Sequence, residues 1–445
     1  MNCCLAFVRQ RRNTCPHMRR ILLLTLLSCT LFTSCQNASV PSVRATLTPA
    51  SFRSEPLPGQ AIWNNGVSSF LFGTNDSQEW SEDNIQTDPY HRIQSALKTA
   101  HLTLMRTFFF HYSLYDGHRT TIGTTPANDD TTYKYGQPAP VNNQFPFTGS
   151  VYEIEQRMRT IEQSGMTCLG VIADIRTDNQ NPVDPNWMHQ RIRDPDNPAA
   201  LESDLAFAKK VVRYLGNRCN LYEIGNEPDL DQYPDASGRA IPHLTINEYM
   251  ERWNEFVSAL RAINPHAKFI GPVTYDAQGN DCVYPSGDCY MRLFLQKAKA
   301  SGVLPDAVSF HWYPCDNAQF ASCLQLVTRS RDPQYNPTTY GDAVRMVKRW
   351  IHEILGKDMP VGISEWNFDS GSNPLGDNAD FMTKFTNLAL NGPAGMIGAG
   401  LAFANQFDAQ DTGGYGYLDM FDINKQDQPK AQFYAISKLI SQYRK

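Results

Sequence analysis

The feature that most limits how this chain can fold is a regular alternation of short apolar runs with helical stretches, repeated eight times from about residue 62 onward. Strands joined through helices pair in parallel, because a parallel pair needs a crossover long enough to bring the chain back to the same end of the sheet. Strand-like runs fall at 70–74, 102–108, 168–174, 221–227, 269–273, 307–313, 361–368 and 400–407. Helical patterns follow them at 93–100, 151–163, 201–215, 246–263, 291–300, 343–355, 381–390 and 431–443. Eight such units predict an α/β chain closed as a (β/α)8 TIM barrel, one catalytic domain over residues 59–445. A small accessory β element is expected near 61–67 or 415–421. The stretch 111–150 is longer than structural connections usually are and is expected to shape or cover a site.

What precedes the barrel reads differently. Residues 1–35 form an export signal: Met18-Arg19-Arg20 is a charged start, and Ile21 to Leu27 is an apolar run too short to span a bilayer comfortably. Leu26-Leu27-Ser28-Cys29 and Phe32-Thr33-Ser34-Cys35 each resemble a lipoprotein cleavage box, so a lipid anchor to the bacterial envelope and plain secretion both stay open. Residues 36–58 are polar and rich in Ser, Thr and Pro, as suits a flexible tether. Six cysteines lie beyond Cys35, an even number in a chain expected to be exported. Cys282 with Cys289, and Cys315 with Cys323, could close small loops, whereas Cys168 and Cys219 either pair or remain buried thiols.

Other classes are disfavoured. The formal charge of -5 comes with no basic stripe, so nucleic acid is not an expected partner. No Cys-x-x-Cys pair or histidine cluster suggests zinc, and no metal or cofactor is expected. The acidic run Asp229, Asp231, Asp235 lacks calcium-loop spacing and reads as a solvated loop.

Two stretches carry chemistry. Leu221-Tyr222-Glu223-Ile224-Gly225-Asn226-Glu227-Pro228 ends the fourth strand in a carboxylate, and Val361-Gly362-Ile363-Ser364-Glu365-Trp366-Asn367 ends the seventh in another. Strands four and seven of a barrel face each other across its mouth, where catalytic side chains are presented. Two carboxylates meeting there are what glycosidic bond cleavage needs.

With these motifs the chain resembles the clan A glycoside hydrolases, most nearly family 39. The resemblance implies a retaining, double-displacement reaction on an oligo- or polysaccharide, with Glu227 as acid/base and Glu365 as nucleophile. Arg106, ending the second strand, matches an arginine beside the nucleophile. His311 and Tyr313 match a His-x-Tyr pair on the sixth strand, the tyrosine bonding the nucleophile. Alternation on that strand should turn Trp312 the opposite way. Asn226 resembles a ligand of the sugar 2-hydroxyl; Asp174, Asn405 and Gln406 are weaker candidates. The chain departs from the clan in having no tryptophan on its eighth strand, where Phe403, Phe407, Tyr415 or Tyr417 would have to serve as the sugar platform. The expected protein is a monomer. The rival readings are a carbohydrate-binding surface protein on a silent barrel and a transglycosylase with the same residues.

Overall fold

The computed structural model describes residues 62–63, 65–76, 92–109, 150–172, 191–194, 197–231, 243–282, 288–316, 318–330, 336–371, 373–410 and 416–444. The expected export signal and tether lie outside these residues, as do the 111–149 connection, Asp174, Asp235 and Tyr415.

Eight parallel strands close the barrel: β1 (Gly73–Asn75), β2 (Leu104–Phe109), β3 (Thr167–Ile172), β6 (Leu221–Ile224), β7 (Lys268–Thr274), β8 (Ala307–Trp312), β9 (Val361–Trp366) and β10 (Phe403–Gln406). Two further strands, β4 (Arg191–Asp194) and β5 (Asn197–Ser203), form an antiparallel ribbon between β3 and the next helix. That ribbon corrects the expected helix start at Leu201. Pairing with β4 engages the backbone as far as Ser203, and the helix runs Asp204–Leu215 instead. A short helix, Phe320–Leu326, also lies between β8 and the long helix Tyr340–Leu355. Accessory β structure is present as an Ile62–Ser68 bridge at the first expected place, and as β11 (Phe421–Asp422) against β12 (Gln428–Pro429), which begins where the second expected range ends.

Period-two alternation explains how the barrel sorts its residues. Leu104, Leu169, Leu221, Ile270, Ala307 and Phe403 pack together with Phe70 and Ala402 as an apolar cluster inside the barrel. Their neighbours in sequence, such as Met105, Tyr222 and Phe269, belong to the second cluster, between strands and helices. Gly362 has no side chain because the Phe403 ring occupies the space a Cβ would need. One step further along β2 and β6 the inward positions are Arg106 and Glu223, both fully buried. The interior thus changes from apolar to charged within two residues.

The helices are delimited by ordinary end chemistry. Thr245 and Glu248 form a reciprocal capping box on the helix Ile246–Ile263, and Thr339 caps Tyr340–Leu355. Gly302 and Gly356 end their helices with φ of 75° and 70°, a backbone region that favours glycine. Among the described residues no helix is long and apolar enough to cross a membrane.

All three cysteine pairs are disulfides: Cys168–Cys219, Cys282–Cys289 and Cys315–Cys323. The first ties the start of β3 to the segment leading into β6, across 51 residues of sequence. Replacing both Cys168 and Cys219 by alanine should therefore lower unfolding free energy by about 2–4 kcal/mol, more than breaking either short loop. Chemical denaturation of the three double variants measures the difference.

Candidate active site

At the end of β6 the chain turns through Gly225 and reaches Glu227, whose φ of 46° lies in the left-handed region. A non-glycine residue there costs on the order of 1 kcal/mol. The Glu227 N–H donates to the Val273 carbonyl at 2.9 Å, which pins the turn to β7. Strain at this one position is offset by that tie, as is common where a side chain must be aimed.

Glu365 reaches the barrel mouth by a different device. On β9 Ile363 packs outward, so strict alternation would send Glu365 outward as well. The pairing with β8 instead slips one residue, from Phe310 opposite Ile363 to His311 opposite Glu365, leaving Ser364 as the extra residue. The β10 pairing slips at the same place. A bulge of this kind re-aims the side chain that follows it.

Arg106 joins these pieces. Its Nη1 donates to Glu365 Oε1 at 2.6 Å and to Asn75 Oδ1 at 3.0 Å. Nε donates to Glu223 Oε2 at 2.6 Å, and Nη2 to Asn226 Oδ1 at 2.7 Å. Burial opposes the guanidinium charge, but Glu223 and Glu365 outweigh it and hold the Arg106 pKa above its ordinary value. The other Glu365 oxygen, Oε2, accepts the Tyr313 hydroxyl at 2.8 Å. Burial first, then the charges of Glu365 and Glu227, raise the Tyr313 pKa well above the usual phenol, so it stays a donor. His311 Nδ1 lies 2.7 Å from Glu227 Oε1 and 3.3 Å from Glu365 Oε2. Facing two carboxyl groups, Nδ1 is assigned the proton. One oxygen each from Glu227 and Glu365 and one nitrogen of His311 lie within 4.8 Å of one another. These three could each lend an atom to a divalent ion, but Glu365 already carries the Arg106 charge and the Tyr313 hydroxyl.

Both glutamates line a cavity of about 580 Å³, with Tyr275, Asp276, Trp312, Tyr313, Asp316 and Phe407 among its walls. Of the residues singled out in the sequence, Glu227, Glu365, Arg106, Asn226, His311 and Tyr313 come together in one network. Asn405 and Gln406 do not join it. Their amides donate to the carbonyls of Thr74 and Leu104, and of Phe407 and Leu418, and so bind strands and loops together. Phe403 is inside the barrel, whereas Phe407 does reach the cavity. Trp312 packs edge-on against Phe310, on the side opposite His311 as alternation requires, and also borders the cavity.

The solvated reading of the acidic run is overturned at Asp229, which is fully buried. Its carboxylate accepts the backbone N–H groups of Tyr275 and Asn280, so it braces the β7 loop against the Glu227 turn. Asp231 is exposed as expected. Sequence reasoning also missed Asn75 and Glu223. A glutamate at an inward position of an otherwise apolar strand was the available signal for the latter.

No family model matches this chain, and no curated protein does. Solved structures do. The chain superposes on the family 39 glycoside hydrolase of Xanthomonas axonopodis pv. citri with a TM-score of 0.51 at 13% identity, over 90% of this chain and 72% of that one. A monomeric beta-xylosidase from Caulobacter crescentus gives 0.50 at 14%, over 84% and 68%. The family 44 endoglucanase of Clostridium thermocellum gives 0.50 at 13%, over 83% and 75%. What these likenesses show is the fold: the chain shares the (β/α)8 barrel of these glycoside hydrolases.

Two outcomes follow from the charges around the site. Arg106→Met strands Glu223 and Glu365 without their shared cation, and should cost about 3–5 kcal/mol of stability in urea unfolding. His243, held between Asp231 at 2.7 Å and Asp281 at 3.0 Å, links the loops after β6 and β7. Partial burial opposes its protonation, yet the two aspartates outweigh it and raise its pKa above the ordinary 6.5. A raised histidine value means stabilisation that is present below the unfolded pKa and fades as pH rises through the folded one. His243→Gln should accordingly lower the melting temperature at about pH 5.5 and change it little at about pH 8.5.

Proposed function

We propose that this chain is an exported glycoside hydrolase that cleaves a β-linked saccharide or polysaccharide with retention of configuration. The observation that carries the reading is the approach of Glu227 and Glu365, from the fourth and seventh barrel strands, with carboxylate oxygens within 4.8 Å. A pair this close supports direct attack by one carboxylate, as in retaining enzymes, over the roughly 6.5–9.5 Å spacing that inverting enzymes keep open for water.

In this reading Glu365 attacks the anomeric carbon while Glu227 passes its proton to the departing glycosidic oxygen. Water then enters, Glu227 takes its proton, and the bond between Glu365 and the sugar breaks as the new hydroxyl forms. Arg106 and Tyr313, one on each oxygen of Glu365, hold the attacking carboxylate in a single orientation. His311 spans the two carboxyl groups and can follow the shift of charge between them. Asn226 has its carbonyl oxygen engaged by Arg106, which leaves its amide as the donor for the sugar 2-hydroxyl. Export is supported by the signal-like N-terminus and by three disulfides, which persist in oxidising compartments. A lipid on Cys29 or Cys35 would tether the enzyme, acting as a monomer, to the envelope.

The test is chemical rescue. On aryl glycosides Glu227→Ala should lose about 10²–10⁴-fold in turnover, and added azide should restore it with a glycosyl azide of retained configuration. Glu365→Ala with azide should give the opposite anomer. Undiminished turnover in Glu227→Ala would overturn the acid/base assignment.

A further inference from the structure

Resting on the reading of Glu365 as the attacking carboxylate, we propose that Glu223 is a positioning residue that sets how much of the Arg106 charge reaches Glu365. Glu223 lies four residues before Glu227 on β6, points into the barrel, and is fully buried. Its Oε2 takes Arg106 Nε at 2.6 Å, the same distance at which Arg106 Nη1 meets Glu365. Among the described residues its Oε1 has no hydrogen-bond partner. A buried carboxylate with one oxygen unbonded is costly. Packing alone would be met more cheaply by a leucine, or by a glutamine of the same shape.

The geometry gives that cost a use. One guanidinium stands between two carboxylates, so neither holds it outright. A cation committed entirely to Glu365 would stabilise the ionised ground state and weaken attack on carbon, because that charge must leave the oxygen as the bond forms. Dividing the cation leaves Glu365 oriented but still reactive. The groups that face Glu365 are Arg106 from β2, Glu227 and the Arg106-bridged Glu223 from β6 and its turn, and His311 and Tyr313 from the end of β8. Of these three carboxylates, Glu227 and Glu365 line the cavity and Glu223 does not.

Glu223→Gln keeps the shape and removes the charge. With less negative charge nearby, Glu365 should give up its proton more readily, so the acid limb of kcat/KM against pH should move down by roughly one unit. Above that limb kcat/KM should fall about tenfold. Glu223→Asp, which keeps the charge but withdraws it from Arg106, should move the limb in the same direction by less. The carboxyl 13C titration of Glu365 in glutamate-labelled wild type and variants reads the same displacement without turnover. It therefore separates failure of this proposal from failure of the hydrolase reading, which shows as a wild type inactive on every glycoside. Loss of kcat/KM by one factor at all pH values with an unmoved Glu365 titration overturns the proposal. So does failure of both variants to fold, since Glu223 would then be scaffold alone.

Discussion

The structure depends on one buried cation. Arg106 is inside the barrel, away from water, and four groups from three other strands or their ends converge on it: Asn75, Glu223, Asn226 and Glu365. A lone guanidinium there would be prohibitively costly, and so would either carboxylate without it. Together they compensate one another and fix the relative height of β1, β2, β6 and β9. The stacking of Arg106 over the Phe108 ring, 4.9 Å away, closes the remaining side of the charge. Barrel closure and site assembly are therefore one event: the strands cannot slip in register without separating Arg106 from its partners.

That coupling explains which parts of the fold were legible in the sequence. The eight strands were, because each alternates or runs apolar between helices, and a hydrophobic pattern repeated eight times is hard to produce otherwise. So were Glu227 and Glu365, since each ends a strand of the pattern. The bulge at Ser364 was not. Nothing in Ile363-Ser364-Glu365 announces an extra residue, and simple alternation would have pointed Glu365 among the helices. Glu365 nevertheless borders the cavity, where the motif resemblance places it and periodicity does not. Glu223 was legible in principle and Asp229 was misread. A surface run and a buried brace look alike until the partner loop, here Tyr275 to Asn280, is known. The ribbon of β4 and β5 was hidden for the same reason, since its pairing partner decides its conformation.

Around the network the chain spends polar side chains on holding loops in place. Asn367 donates to the carbonyls of Phe407 and Leu418, Gln406 to the same two, and Asn75 to the carbonyl of Ser364. The Tyr340 hydroxyl reaches from its helix to the Asn367 carbonyl. These bonds satisfy backbone groups that strand ends leave unpaired. They also mean that Asn405 and Gln406, at the end of the eighth strand, serve the scaffold on which Phe407 is presented.

The two glutamates are built to be unlike. Glu365 is 4% exposed, with a cation on one oxygen and a phenol on the other, so both oxygens are held by donors from fixed strands. Glu227 stands on a strained turn, more open to the cavity, with His311 Nδ1 at 2.7 Å from its Oε1. A carboxylate that must attack carbon needs a fixed direction, whereas one that must first give and then take a proton needs access to leaving group and water in turn. The unequal surroundings of the pair match this division of labour. That asymmetry suits the roles proposed above, Glu365 for attack and Glu227 for proton transfer.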